Sequence, residues 1–249
     1  MESSLRSSQV FDFAAPKGRA QVACSRCSLG DLCLPRCLSP DEVGRFEQIV
    51  QRSRPFHAGE HLFRAGDEFH SVATVRAGCF KSYVIEKDGE ERVLGFYLPG
   101  EIIGLDAIHS GNHTANIIAL DTSTICSLEF DSLTGMARQM PGLQTELFRV
   151  MSHRISDLEI MAGDRTADQR IALFLLSLSD RFSHRGYSAT EFLLAMSRRD
   201  IASFLRLATE TVSRVLARFQ KSGLLQVDRK QLRICKLDEM HRMAHQSLQ

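Results

Sequence analysis

Three of the chain's seven cysteines, Cys24, Cys27 and Cys33, fall within one loop punctuated by Gly, Ser and Pro, and Cys126 lies far downstream. A C-x2-C-x5-C spacing presents several thiolates from a short loop to one soft metal centre, which a helix or a straight strand would scatter. The segment therefore reads as a metal or redox site. Zinc held by Cys24, Cys27, Cys33 and Cys37 would use the same loop without a distant ligand, although structural zinc sites are usually built from two C-x2-C knuckles and only one is present. A metal-free thiol switch is a third reading. Spacing alone leaves iron–sulfide, zinc and thiol chemistry open.

A disulfide framework fits poorly, because such scaffolds are short and secreted whereas this chain has 249 residues and an odd number of cysteines. The N-terminal stretch is polar, with no apolar core like that of a signal sequence, and no apolar run approaches membrane-spanning length. The expectation is a cytoplasmic protein with reduced thiols and no membrane partner.

The elements that would position these residues follow from charge and periodicity. Residues 164–249 hold 15 Lys and Arg against 9 Asp and Glu, while the remainder of the chain is net acidic. Such asymmetry points to a basic domain that meets a polyanion and an acidic one that does not. From about Pro55 to Phe130, short apolar stretches alternate with glycine turns, and Asp88-Gly89 is a hairpin signal. This predicts an antiparallel β-roll, or jelly roll.

Helical spacing takes over at about Asp131. Phe148, Met151, Ile155, Leu158 and Ala162 step alternately by three and four, which is a coiled-coil seam and predicts a homodimer helix. In a parallel pair Arg154 would face Glu159 of the other copy. Thr166-Ala-Asp-Gln169 is a capping box that opens the next helix. The fold class expected is α+β: a mobile arm and cysteine loop over 1–40, a β-roll over 41–133, a dimerisation helix over 134–163 and a winged helix-turn-helix over 164–249.

Within that last segment Ser197 precedes a helix from Arg198 to about Leu205, and Thr209 is expected to cap a second one reaching about Lys221. On the second, Val212, Val215, Leu216 and Phe219 share one face, and Glu210, Ser213, Arg214 and Ala217 share the other. Arg pairs with guanine O6 and N7, Glu accepts from cytosine N4, and Ser suits either class of base. These polar residues lie near the helix N-terminus, the part of a recognition helix that meets base edges. Ser197, Arg198, Thr209 and Thr211 join them as expected DNA contacts. Leu224–Val227 and Gln231–Cys235, with Asp228-Arg-Lys230 between them, form a basic-tipped wing.

A thiolate loop, β-roll, long helix and winged helix in this order resemble the cyclic AMP receptor protein superfamily, and within it the oxygen-sensing fumarate and nitrate reduction regulator (FNR-type) proteins. The residues that carry the likeness are Cys24-Ser-Arg-Cys27-Ser-Leu-Gly-Asp-Leu-Cys33-Leu-Pro35, Thr122-Ser-Thr-Ile-Cys126, Phe63-Arg-Ala-Gly-Asp67, Glu210-Thr-Val-Ser-Arg214 and Arg218-Phe-Gln-Lys-Ser-Gly-Leu224. The resemblance implies that Cys24, Cys27, Cys33 and Cys126 ligate a [4Fe–4S] cluster. It implies that Glu210, Ser213 and Arg214 read TTGAT half-sites of an inverted repeat, and that Ser28 and Leu32 govern oxygen access. It further implies a dimer on double-stranded promoter DNA that contacts RNA polymerase and mainly activates genes of anaerobic metabolism.

Two positions depart from the family pattern. Arg206 occupies the turn of the helix-turn-helix, where glycine is usual, and Leu158 falls near an acidic seam position of the oxygen-labile members. A cyclic nucleotide is not expected as a ligand: Gly100-Glu101 is present, but Ile108-His-Ser-Gly-Asn-His-Thr114 offers no Arg for the cyclic phosphate. An enzyme is not expected either, since the His pairs at 57/61 and 109/113 lie in β-rich sequence and the pair at 241/245 has no catalytic carboxylate arrangement nearby.

Overall fold

The computed structural model describes residues 23–162 and 165–245, with side chains of 157–164 left out. The arm expected at the N-terminus lies outside the described residues, as do the side chains of Leu158 and Ala162.

The elements run in the order α1 (Pro40–Glu47), β1 (Val50–Arg52), β2 (His61–Phe63), β3 (Ser71–Ala77), β4 (Phe80–Ile85), β5 (Glu91–Tyr97), β6 (Ile102–Ile103), β7 (Asn116–Ala119), β8 (Thr124–Glu129), α2 (Phe130–Gln139) and α3 (Pro141–Ala162). They continue with α4 (Ala167–Ser183), β9 (Glu191–Leu193), α5 (Arg198–Leu205), α6 (Thr209–Lys221), β10 (Leu225–Asp228), β11 (Gln231–Ile234) and α7 (Leu237–His245). The α+β class with an antiparallel sheet region ahead of a helix-turn-helix is what the sequence predicts.

Two compact units form, one from the residues up to Phe80 with Pro99–Gln144, the other from Lys81–Leu98 with Thr145 onward. In the first, the sheet β1-β8-β3-β6 is antiparallel and β2 pairs with β7. Val72, Ile103, Ile117, Ile125, Leu128 and Leu133 fill its core. Removing such side chains from water is the dominant favourable term in folding.

The helical stretch read as beginning near Asp131 is two helices. A proline disfavours helical backbone in the residue before it, and Met140 accordingly leaves α2 in an extended conformation (φ −125°, ψ 89°) ahead of Pro141.

In the second unit, β10, β11 and β9 form a three-stranded antiparallel sheet against the helices. The wing is therefore wider than the two strands expected, because Glu191-Phe-Leu193 adds a third. The hairpin β4–β5 also belongs to this unit, turning through Gly89 at φ 84°.

Candidate metal centre and DNA-reading helix

Tight turns build the cysteine loop. Cys27 N–H donates to the Cys24 carbonyl (3.2 Å), Gly30 N–H to Cys27 (3.0 Å), and Leu32 and Cys33 N–H both to Leu29 (3.0 Å). Leu29 and Leu34 are buried and anchor the loop on either side of Cys33. Leu32 packs against Gly100, whose φ of 91° favours glycine and where an added Cβ would lie a tight 3.0 Å from the Leu32 Cβ. Cys37 is exposed, and its thiol donates back to the Leu34 carbonyl (3.3 Å).

Cys126 comes from the middle of β8, opposite Arg52 of β1 and Thr74 of β3. Arg76 sits at an irregularity in the β3–β8 ladder between Val75 and Ala77; such bulges re-aim a side chain. All four candidate cysteines are free thiols, and Cys24, Cys33 and Cys126 are close enough to influence one another's ionisation.

Burial pushes the Cys33 thiol up to about 12, against a partial counter-effect from the Thr74 hydroxyl, and the Cys126 charge raises it further. The Thr74 hydroxyl is buried and completes no hydrogen bond of full geometry, so it faces the thiol without satisfying it. Burial likewise pushes Cys126 up to about 11, while Arg76 and Arg52 pull it down. Cys24 is raised by burial and by Glu47, and lowered by the same two arginines.

Among the described residues no three His, Cys, Asp or Glu side chains converge on a single point as ligands of one ion would. A cluster of several irons would take Cys24, Cys27, Cys33 and Cys126 as ligands without requiring them to meet at one point. The donor chemistry suits such a group: four partly exposed thiols, of which Cys24 and Cys126 feel the positive charge of Arg52 and Arg76. Arg52, Thr74 and Arg76 were not found by sequence reasoning, since only the strand register brings them to Cys126.

In the reading head, Thr166 and Gln169 form the predicted capping box, and Ser197 with Asp200 forms another that opens α5. Thr209 is not a cap: Ala208 holds the N-cap position without a side-chain hydrogen bond, and Thr209 is the first helical residue of α6. Arg206 takes the left-handed conformation (φ 54°, ψ 48°). Arg170 of α4 donates to the Leu205 carbonyl (3.1 Å), supporting that turn from outside.

Val212, Val215, Leu216 and Phe219 are buried, and Glu210, Ser213 and Arg214 are exposed on the other face of α6. The Ser213 hydroxyl donates to the Thr209 carbonyl (3.0 Å), which leaves its lone pairs outward, and Arg214 is steadied by Thr211 (3.2 Å). Ser197 is exposed at the start of α5, whereas Arg198 is half-buried with one guanidinium nitrogen unpaired and its pKa lowered by burial. On α3, Phe148, Met151 and Ile155 are 61%, 41% and 58% exposed, an apolar stripe without cover in the single chain. Arg154 lies over the Tyr97 ring, 4.7 Å from its centroid, and is thus engaged within its own chain. No helix among the described residues is long and apolar enough to cross a membrane.

Comparison with known proteins agrees with this architecture. Residues 53–140 match the cyclic nucleotide-binding domain family and residues 169–243 the Crp-like helix-turn-helix domain family. The fumarate and nitrate reduction regulatory protein of Escherichia coli K12 is 40% identical over 91% of this chain and 92% of its own length. The Klebsiella oxytoca fumarate nitrate reduction regulatory protein is 39% identical over 92% and 93%. Among solved structures, FixK2 from Bradyrhizobium japonicum superposes with a TM-score of 0.71 at 25% identity, covering 80% of this chain and all of that one. With both domain families in order and near-complete alignment to these regulators, the chain belongs to the fumarate and nitrate reduction regulator family of Crp-like DNA-binding transcriptional regulators.

Proposed function

We propose that this regulator responds to oxygen through a [4Fe–4S] cluster held by Cys24, Cys27, Cys33 and Cys126. The observation that supports the reading is the position of Cys126 on β8, directly opposite Arg52 of β1 and near enough to Cys24 and Cys33 for the thiols to bear on one another's ionisation. When bound, such a cluster supplies an oxygen-labile centre whose integrity depends on its thiolate ligands. The residues of this chain bind it, partly exclude water from it and supply the neighbouring positive charge.

The shifts also weigh between this reading and a metal-free thiol switch. A reactive redox cysteine needs thiolate character at neutral pH. Burial pushes Cys33 up to about 12 and Cys126 up to about 11, which works against thiolate character at those two positions. A cationic metal centre reverses that balance, because coordination deprotonates the thiol outright.

In the working state two copies join along Phe148, Met151, Ile155, Leu158 and Ala162. Each α6 then enters a major groove, with Glu210, Ser213 and Arg214 on base edges of a TTGAT half-site. Ser197, Arg198, Thr209 and Thr211 serve the backbone and flanking contacts that set register. The DNA-bound dimer engages RNA polymerase in the cytoplasm and mainly activates. Loss of the cluster weakens the dimer, and paired half-sites on successive turns are then no longer spanned. A cyclic nucleotide plays no part in this reading, because an unpaired phosphate buried near Gly100-Glu101 would be costly without an Arg.

Iron and acid-labile sulfide per chain, measured in protein purified without oxygen while absorbance is followed in air, test the reading. About four of each, with colour that bleaches in air, is the expected result. Zinc, or metal-free protein with DNA binding intact, would overturn it.

A further inference from the structure

The β4–β5 hairpin is tied to the first helix of the helix-turn-helix by an ion cluster and a backbone graft. Lys81 Nζ lies 2.8 Å from Glu91 Oε2 and 2.7 Å from Asp200 Oδ1, with the Lys81 and Asp200 side chains only 10% and 14% exposed. Asp200 has a second task. Its other oxygen accepts from Ser197 N–H (2.9 Å) and Ser197 Oγ (2.6 Å) in the box that starts α5.

One turn further on, the Ser203 hydroxyl donates to the Glu91 carbonyl (2.8 Å) and accepts from Val93 N–H (2.9 Å). It therefore stands in for a neighbouring strand along β5. Arg181 of α4 donates to the Phe96 carbonyl (2.8 Å), and Phe96 packs edge-on against Phe174 and Phe204. Arg199 and Glu90 add a pair at the surface (2.7 Å). These bonds fall on α4 and α5, while Glu210, Ser213 and Arg214 on α6 stay exposed. A hairpin that blocked DNA would cover that face, and this one leaves it open.

We propose that the β4–β5 hairpin is a clasp that fixes the setting of α5, and through it α6, and that Lys81 is a positioning residue for sequence-specific DNA binding. The physical basis is the cost of the alternative: without the ammonium, the largely buried Asp200 carboxylate loses its counter-charge beside the half-exposed Glu91, and a shift of α5 is the route by which it regains water. Base readout depends on accurate placement of side chains in the groove, whereas contacts to phosphate carry no sequence information. A shift of α5 therefore erodes specific binding more than non-specific binding. The inference rests on DNA reading by α6 and is independent of the cysteine site.

The test uses the full-length protein purified without oxygen, with fluorescence anisotropy on a TTGAT inverted-repeat duplex and on a scrambled duplex. Lys81→Met is expected to weaken specific binding about tenfold. Affinity for the scrambled duplex and the thermal midpoint should barely change, and Lys81→Arg should restore most of the loss. Ser203→Ala, which breaks the graft without touching a charge, should lose roughly threefold, and it decides the matter if Lys81→Met does not fold. Unchanged or tighter specific binding in these variants overturns the clasp, as does an equal loss on both duplexes that tracks melting. Arg214→Ala is the control: if it too leaves specific binding intact, the reading of α6 has failed rather than the clasp.

Discussion

Arg52 stands directly opposite Cys126 in the β1–β8 ladder, and its guanidinium is held by Glu47 at 2.9 Å. Four thiolates outweigh the charge of an iron–sulfide core and leave a net anion, so Arg52 and Arg76 would both lower its free energy. Arg76 is the cleaner probe, because removing Arg52 would also strand Glu47. Arg76→Gln is expected to lose iron to a chelator roughly fivefold faster, about 1 kcal/mol of lost attraction at a partly screened distance. Loss of visible absorbance under anaerobic conditions measures it, and Arg76→Lys should behave like the parent. Equal rates for Gln and Arg would remove the electrostatic role.

Arg214 projects from the exposed face of α6, steadied by Thr211. A bidentate contact to guanine discriminates by about 1–3 kcal/mol. Arg214→Ala should therefore weaken specific binding by roughly 5- to 150-fold and flatten discrimination at one base pair per half-site. Binding to duplexes carrying each single-base change reports it.

The uncovered stripe of Phe148, Met151 and Ile155 predicts self-association that does not vanish with the cluster. Sedimentation of cluster-free protein should find dimer at concentrations where Leu158→Asp is monomeric. Only monomer after complete air oxidation would refute this.

His113 is 2% exposed, stacked on Phe63 at 3.9 Å, and neither ring nitrogen has a partner. Burial holds its pKa below the usual range, although Asp106 and Asp67 pull the other way. Because the folded pKa is depressed, the unfolded chain binds the proton first as pH falls. The contribution is complete above the unfolded value of about 6.5 and is lost on acidification, with a slope of at most about 1.4 kcal/mol per pH unit. Urea unfolding at about pH 5 to about pH 7 should show this slope, and His113→Phe should flatten it.

The tight cysteine loop, the two faces of α6 and the apolar stripe of Phe148, Met151 and Ile155 on α3 could be read from the chain because each is a local pattern. The surroundings of Cys126 could not. Arg52, Thr74 and Arg76 reach it through register and a ladder irregularity, which spacing does not encode. Pro141 carried a usable signal, since the residue before a proline resists helix, yet the apolar stepping on either side masked the break. Three residues at Glu191-Phe-Leu193 are too few to show alternation, so the third wing strand was silent. The residue type of Thr209 suggests a cap, but Ala208 holds that place. The bond from Lys81 to Asp200 spans 119 positions and has no local signature at all.

Because the hairpin belongs to the same compact unit as the helix-turn-helix, the chain passes between the units at Phe80–Lys81, Leu98–Pro99 and Gln144–Thr145. On the proposed clasp, the helix-turn-helix works together with the β4–β5 hairpin and not as an excisable cassette. A fragment beginning after α3, or a chimera grafting it to a foreign sensor, would carry Asp200 and Ser203 without the hairpin that satisfies them. On the same proposal, a chimera that keeps specific DNA binding is one that moves Lys81–Leu98 together with the helices they clasp.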